Sequence, residues 1–200
     1  MTERHIEKAL AEADDALRWL RESRPTRETV ARMSACITEC LLGGGRVITC
    51  GNGGSMCDAM HFAEELSGRY RKDRAALAAM AISDPSHLTC VANDFGFEQV
   101  FARGVAAWGR RGDILIGFST SGRSPNVIAA AEQARTIGMK VLGLLGRDGG
   151  PLRSLCDLSI VVPARTSDRI QEVHIKIVHI VIELVERGLF PQNYEGDAPP

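Results

Sequence analysis

Residues 113–118 read DILIGF, and residues 119–125 continue STSGRSP. The first run is apolar without alternation, as a strand buried on both faces must be. The second places four hydroxyls, Ser119, Thr120, Ser121 and Ser124, within six residues, then closes on Pro125. Proline suits the first position of a helix, and Ser124 before it is a natural N-cap. Strand, hydroxylic loop and helix start thus follow one another without a spare residue.

The same alternation extends in both directions. Short apolar runs recur at 46–50 (RVITC), 77–82 (LAAMAI), 140–145 (KVLGLL) and 158–162 (LSIVV). Helical spacing fills about 55–68, 97–107, 124–138 and 168–187. Five such strands alternating with helices predict an α/β fold: a parallel five-stranded sheet covered on both faces. Two helices come before the first strand. Ile6, Leu10, Ala13, Leu17 and Leu20 mark one over 5–22, and Val30, Met33, Ile37 and Leu41 mark the next, which opens at Pro25-Thr26 and stops at Gly43–Gly45. The 200 residues therefore read as a single domain: leading helices over 1–44, an α/β core with a long last helix over 45–190, and a polar, loose tail over 191–200. The last helix is apolar around much of its circumference, with Ile175, Val178, Ile182 and Val185 on one side and Ile177, Val181 and Leu184 on another. Together with the leading helices it carries more apolar surface than a small sheet covers, which predicts a helix-built homo-oligomer.

Composition narrows the function. Lys and Arg number 24 against 25 Asp and Glu, and no basic block occurs, so nucleic acid is not an expected partner. No apolar run approaches the roughly 18 residues of a membrane span, and the charged first twenty residues do not read as a signal peptide, so no membrane partner is expected either. The six cysteines form no C-x-x-C pair, and a chain of this size needs no staples, which points to a reducing, cytoplasmic setting.

In an open parallel sheet, ligands sit beyond the carboxyl ends of the strands. Two loops fall there. Gly51-Asn52-Gly53-Gly54-Ser55 follows the run 46–50, and its glycines let backbone N–H groups approach a ligand ahead of a helix start. Ser119–Ser124 brings hydroxyls to a second helix start, where the dipole also favours an anion. No Walker lysine and no G-x-G-x-x-G accompany them, so a small phosphorylated molecule fits better than a nucleotide. Asn52, Asn93 and Asp94 are candidates for sugar hydroxyls, although Asn93-Asp94 also reads as a plain turn.

His61 and Glu65 lie four apart on the helix entered from the glycine loop, hence on one face. Such a pair is commonly a surface ion pair, but here the helix begins at a ligand loop. Gln171 and His179 stand on the otherwise apolar last helix, where a histidine is ordinarily a core or interface residue. Eight residues separate them, about 12 Å along a straight helix, so one ion cannot bridge both. Either that helix starts after Gln171, or the two act with different chains.

Taken jointly, residues 50–55 (CGNGGS), 61–70 (HFAEELSGRY), Asn93-Asp94, Ser119–Gly122 with Ser124, and 169–174 (RIQEVH) resemble the bacterial phosphoheptose isomerases of the sugar isomerase (SIS) superfamily. The resemblance runs from about residue 5 to Pro191. It implies a flavodoxin-like core, a homotetramer, and conversion of sedoheptulose 7-phosphate to D-glycero-D-manno-heptose 7-phosphate. It also implies one Zn(II) per active site, on His61, Glu65, Gln171 and His179. Asn52, Gly53, Gly54, Ser55, Glu65, Asn93, Asp94, Ser119, Thr120, Ser121, Ser124 and Gln171 would then contact substrate. Aldose and ketose interconvert through an enediol, with Glu65 as the carbon base and His179 as the proton shuttle between oxygens, acting in a site assembled from more than one chain. Two other readings are an isomerase of another sugar phosphate and a non-catalytic SIS protein that binds a replication initiator. The latter relatives lose the catalytic set, whereas Glu65, Ser121 and His179 are all present here.

Overall fold

The apolar runs pair into one parallel sheet in the computed structural model, which describes residues 1–196. The strands are β1 (Val47–Gly51), β2 (Ala79–Ala81), β3 (Ile114–Ser119), β4 (Lys140–Gly146) and β5 (Leu158–Val162), in the spatial order β2-β1-β3-β4-β5. In the register of the sheet, Ile48 pairs Leu115, and Leu115 pairs Val141. This is the flavodoxin-like order, and its switch point lies between β1 and β3. The glycine loop after β1 and the hydroxylic loop after β3 therefore flank the crevice where such sheets take ligands.

Successive residues of each strand feed two separate cores. Val47, Ile114, Ile116 and Phe118 pack on one side with α2 (Arg24–Leu42), α3 (Gly54–Ser67) and α7 (Ser167–Leu189). Ile48, Cys50 and Leu115 pack on the other, with α4 (Pro85–Phe95), α5 (Val100–Trp108) and α6 (Pro125–Ile137). Phe62 and Leu66 of α3 are buried in the first core, as their line on the helix predicts. α7 buries Ile170, Val173, Ile177, Val178, Val181, Ile182 and Val185.

The first helix, α1 (Thr2–Glu22), buries only Leu20 and leaves Ile6, Leu10 and Leu17 exposed. With Val30 of α2 and Ile180 and Leu184 of α7, Leu17 and Leu20 line an apolar groove flanked by Arg21, Arg27 and Lys176. The apolar excess predicted for these helices thus lies on one continuous surface.

Two segments differ from expectation. Residues 85–95 form a helix that the expected elements leave out, although Leu88, Val91, Ala92 and Phe95 stand at helical spacing and the first three pack on the second core. Its start was also written in the chain: Asp84 accepts a hydrogen bond from the His87 N–H at 2.8 Å, and Pro85 occupies the first turn. The turn reading of Asn93-Asp94 gives way to the last turn of α4. At the other end, Pro191–Tyr194 is not loose but forms a 3-10 turn, because the Tyr194 hydroxyl donates to buried Glu186 at 2.7 Å. Residues 197–200 of the expected tail lie outside the described residues.

Candidate active site

The glycine loop needs its glycines for different reasons. Gly53 has φ +56°, and a Cβ on Gly51 would lie 2.6 Å from the Ser55 carbonyl oxygen. The loop can therefore turn sharply into α3 and bring Ser55 into the helix's first turn.

Across the crevice, Ser119 Oγ lies 3.1 Å from Ser124 Oγ and accepts from the Gly122 N–H at 3.1 Å. Ser124 does occupy the N-cap position of α6, but its side chain makes no cap hydrogen bond. Its hydroxyl faces Ser119 instead. Ser121 Oγ accepts from the Arg123 N–H, and Thr120 Oγ1 lies 3.1 Å from Ser167 Oγ at the start of α7. Arg123 itself pairs with Asp148 at 2.6 Å, and that hydrogen bond holds the Asp148 carboxyl below its usual range.

The two loops are tied together. Asn52 Nδ2 donates to Asn126 Oδ1 at 2.8 Å, and Asn126 Nδ2 donates to Asn52 Oδ1 at 2.8 Å. Asn126 is buried on the first turn of α6, so this reciprocal amide pair spans the switch point between β1 and β3. Asn126 was not foreseen. Only its place directly after Ser124-Pro125 hinted at it. Asn93 and Asp94 are exposed; among the described residues their side chains hydrogen-bond with each other and with Cys90, not with either loop.

α3 and α7 lie side by side and run in the same direction. A Cβ on Gly54 would meet the Gln171 amide at 2.6 Å, while seven residues further along α3 His61 meets His179. His61 Nε2 lies 3.1 Å from Glu65 Oε1 and 3.4 Å from His179 Nε2, and one donor atom from each of the three fits within a 4.8 Å spread. Ligand atoms set about 2.1 Å from a tetrahedral ion are about 3.4 Å apart, so the two shorter separations of this nitrogen, nitrogen, oxygen set suit a metal ion. Burial, and then the neighbouring His61, lower the pKa of His179, which favours the neutral imidazole with a free lone pair.

Gln171 does not join this cluster. Both residues belong to the continuous helix α7, so the possibility that the helix starts after Gln171 is excluded. Equally, Glu65 and His179 meet within one chain, beside His61. Gln171 lies instead at the glycine-loop end, in a hollow of about 350 Å³ lined also by Asp58, His61, Asp168 and Glu172. Burial pushes the Asp58 carboxyl up to about 6, and among the described residues its Oδ2 has no hydrogen-bond partner. Asp58 was also missed, although an acid sharing the buried line of α3 with Ser55 and Phe62 is a signal in itself. Arg69 pairs with Asp73, and Arg169 with Asp168 and Glu172, away from the three-residue cluster.

The arrangement sets a loop of hydroxyls at one end of α3 and, about 10 to 15 Å along it, a carboxylate flanked by two imidazoles. A family model described as the SIS domain matches residues 11–146. The phosphoheptose isomerase of Fusobacterium nucleatum is 53% identical over 180 residues, covering 90% of this chain and 93% of that protein. That of Vibrio vulnificus is 51% identical over 185 residues, covering 92% and 97%. Among solved structures, a phosphoheptose isomerase from Neisseria gonorrhoeae superposes with a TM-score of 0.87 at 37% identity, covering 93% of this chain and 99% of that one. One from Francisella tularensis gives 0.89 at 34%, covering 94% and 99%.

Proposed function

The chain belongs to the phosphoheptose isomerases of the SIS-domain family, and on that premise we propose that it converts sedoheptulose 7-phosphate to D-glycero-D-manno-heptose 7-phosphate. The product supplies heptose for cell-surface polysaccharide. The observation that carries the proposal is the meeting of His61, Glu65 and His179 in one cluster, two to three turns of α3 from a cradle of hydroxyls. A heptulose 7-phosphate has its anion and its reacting carbons at opposite ends of the sugar chain, which suits that separation.

Ser55, Ser119, Thr120, Ser121 and Ser124 hold the phosphate, aided by N–H groups of Gly53 and Gly54 and the helix starts of α3 and α6. Asn52, Asn93, Asp94 and Gln171 contact the sugar. The Glu65 carboxylate takes the proton from C1 and returns it to C2, and His179 moves a proton between the oxygens on those carbons. A neutral His179 accepts that proton only while its lone pair is not engaged by a metal ion. His61, Glu65 and His179 are the residues to hold one Zn(II) per site, with Gln171 reaching it from a neighbouring chain. Zinc supplies Lewis-acid polarisation of the carbonyl oxygen. Protein purified without chelator is expected to carry one zinc per chain by metal analysis and to form aldose from sedoheptulose 7-phosphate. No aldose would overturn the isomerase reading, and full turnover by metal-free protein would remove the ion from it.

The oligomer is a homotetramer. Its support is the uncovered stripe of α1, with Ile6 at 49% and Leu10 at 66% exposure, continuing into the groove on α2 and α7. Light scattering should give about four times the 21.7 kDa chain mass, and a stable single-chain mass at micromolar concentration rejects it. Among the described residues no helix is long and apolar enough to cross a membrane, and all six cysteines are free, which supports a cytoplasmic setting.

A further inference from the structure

We infer that Arg74, braced by Glu186 and Tyr194, is a positioning residue for the isomerisation: it fixes the end of α3 that carries Glu65 against the stretch of α7 beyond His179. The inference rests on the proposed role of Glu65 and extends it to three residues outside the candidate site.

A helix ends with four carbonyls that lack partners, and a buried end must find donors for them. α3 ends at Ser67, directly after Glu65 and Leu66. The Gly68 N–H serves the Glu64 carbonyl and the Leu77 N–H reaches that of Leu66, and the Arg74 guanidinium supplies the side-chain donors for Glu65 and Leu66. Its Nη2 donates to the Glu65 carbonyl at 2.5 Å, and its Nη1 donates to the Leu66 and Gly68 carbonyls at 2.8 and 2.7 Å. The remaining donor, Nε, binds Glu186 Oε1 of α7 at 2.7 Å. Both side chains of that pair are 1% exposed. The other Glu186 oxygen accepts from the Tyr194 hydroxyl, whose pKa is raised by burial and by that carboxylate.

The brace continues outward. Asn193 Nδ2 donates to the Asp73 carbonyl at 3.1 Å, and the Lys72 ammonium donates to the Asn193 carbonyl. The 3-10 turn at 191–194 is thus stitched to the loop that carries Arg74. A planar guanidinium can serve a helix end and a carboxylate at once, which one ammonium cannot. The carbonyl it holds belongs to Glu65, so any shift of the last turn of α3 moves that carboxylate relative to His179.

The test is Arg74→Lys in the full chain, which keeps the charge for Glu186 but cannot span both partners. In protein that remains folded by circular dichroism, kcat for sedoheptulose 7-phosphate is expected to fall about tenfold or more, because sub-ångström misplacement of reacting groups is that costly. KM and the affinity for inorganic phosphate should stay within about threefold, since the hydroxylic loop is untouched. The His61 and His179 ring resonances, whose centroids are 5.0 Å apart, should move in the NMR spectrum while those of His5 and His87 do not. A folded variant with lower thermal stability but unchanged kcat and unmoved resonances overturns the inference and leaves Arg74 a purely structural residue. Should Arg74→Lys fail to fold, Tyr194→Phe removes one hydroxyl from the brace and carries the same expectation at about two- to threefold in kcat, with the same resonances read. If the wild-type protein forms no aldose, the isomerase reading falls, and the imidazole resonances alone decide the role of Arg74.

Discussion

Glu65→Gln is expected to lower turnover of sedoheptulose 7-phosphate by at least about 10², or about 2.7 kcal/mol of transition-state stabilisation, while inorganic phosphate binds as before. The substitution keeps the side chain's shape and one acceptor oxygen, so the 3.1 Å contact with His61 Nε2 can persist. What it removes is the group able to take a proton from carbon. The phosphate arm of the test reads the loops at 51–55 and 119–124, which the substitution does not touch. Turnover within tenfold of wild type would assign the carbon base elsewhere. Subunit exchange adds a second discrimination. Glu65 and His179 belong to one cluster of one chain, so mixing Glu65→Gln with His179→Ala protein should restore nothing: every cluster still carries a lesion. Mixing Glu65→Gln with Gln171→Ala should restore some activity, because a Gln171 reaching a neighbour's cluster can be supplied by the chain whose own cluster is defective. Recovery in the first mixture, or none in the second despite proven exchange, would overturn that division of the site.

The sheet and the two loops that leave β1 and β3 were legible because both signals are local. A strand buried on both faces must be apolar throughout, and Gly51–Ser55 and Ser119–Ser124 sit where β1 and β3 end. α4 was legible too, in the helical spacing of Leu88, Val91, Ala92 and Phe95 and in the start at Asp84-Pro85, and it was overlooked. Pairings between distant segments, by contrast, were out of reach. Asn52 and Asn126 are 74 positions apart, and His61 and His179 are 118 apart. Spacing along α7 excluded Gln171 and His179 from one ion, but it could not say which of them faces His61. That choice is made by the packing of α3 on α7, where Gly54 leaves room for Gln171 and the two helices then run alongside for two turns. Arg74 illustrates the same limit: a charged residue in an irregular stretch reads as solvent-exposed, and only the tertiary fold buries it against Glu186.

Gly122→Ala is expected to cost the protein most of its phosphate affinity, at least about 10², and to lower its melting temperature. Gly122 has φ +62°, where an L-residue costs about 1–2 kcal/mol. That alone is not the main effect. A Cβ there would sit 1.8 Å from the Gly149 carbonyl oxygen and 2.3 Å from its carbon, a collision of backbone with backbone that no side-chain rotation relieves. The segment 149–152 is held in turn, since the Leu152 N–H donates to the Gly122 carbonyl at 3.1 Å. The hydroxylic loop must therefore give way, and with it the Ser119 Oγ contact to the Gly122 N–H that shapes the cradle. Loss of two charge-assisted hydrogen bonds, each about 1.5–3 kcal/mol, gives the stated fall in affinity at about 1.4 kcal/mol per tenfold. Gly53→Ala separates the two causes. Gly53 has φ +56°, on the same side of the map, but a Cβ there meets nothing within 4 Å. It should show the conformational cost alone, with a smaller loss of stability and a phosphate affinity closer to that of wild type. Titration calorimetry with inorganic phosphate, alongside thermal unfolding, reads both variants. A Gly122→Ala protein that binds phosphate within about threefold of wild type would mean that the cradle lies elsewhere or that the loop at 149–150 yields freely.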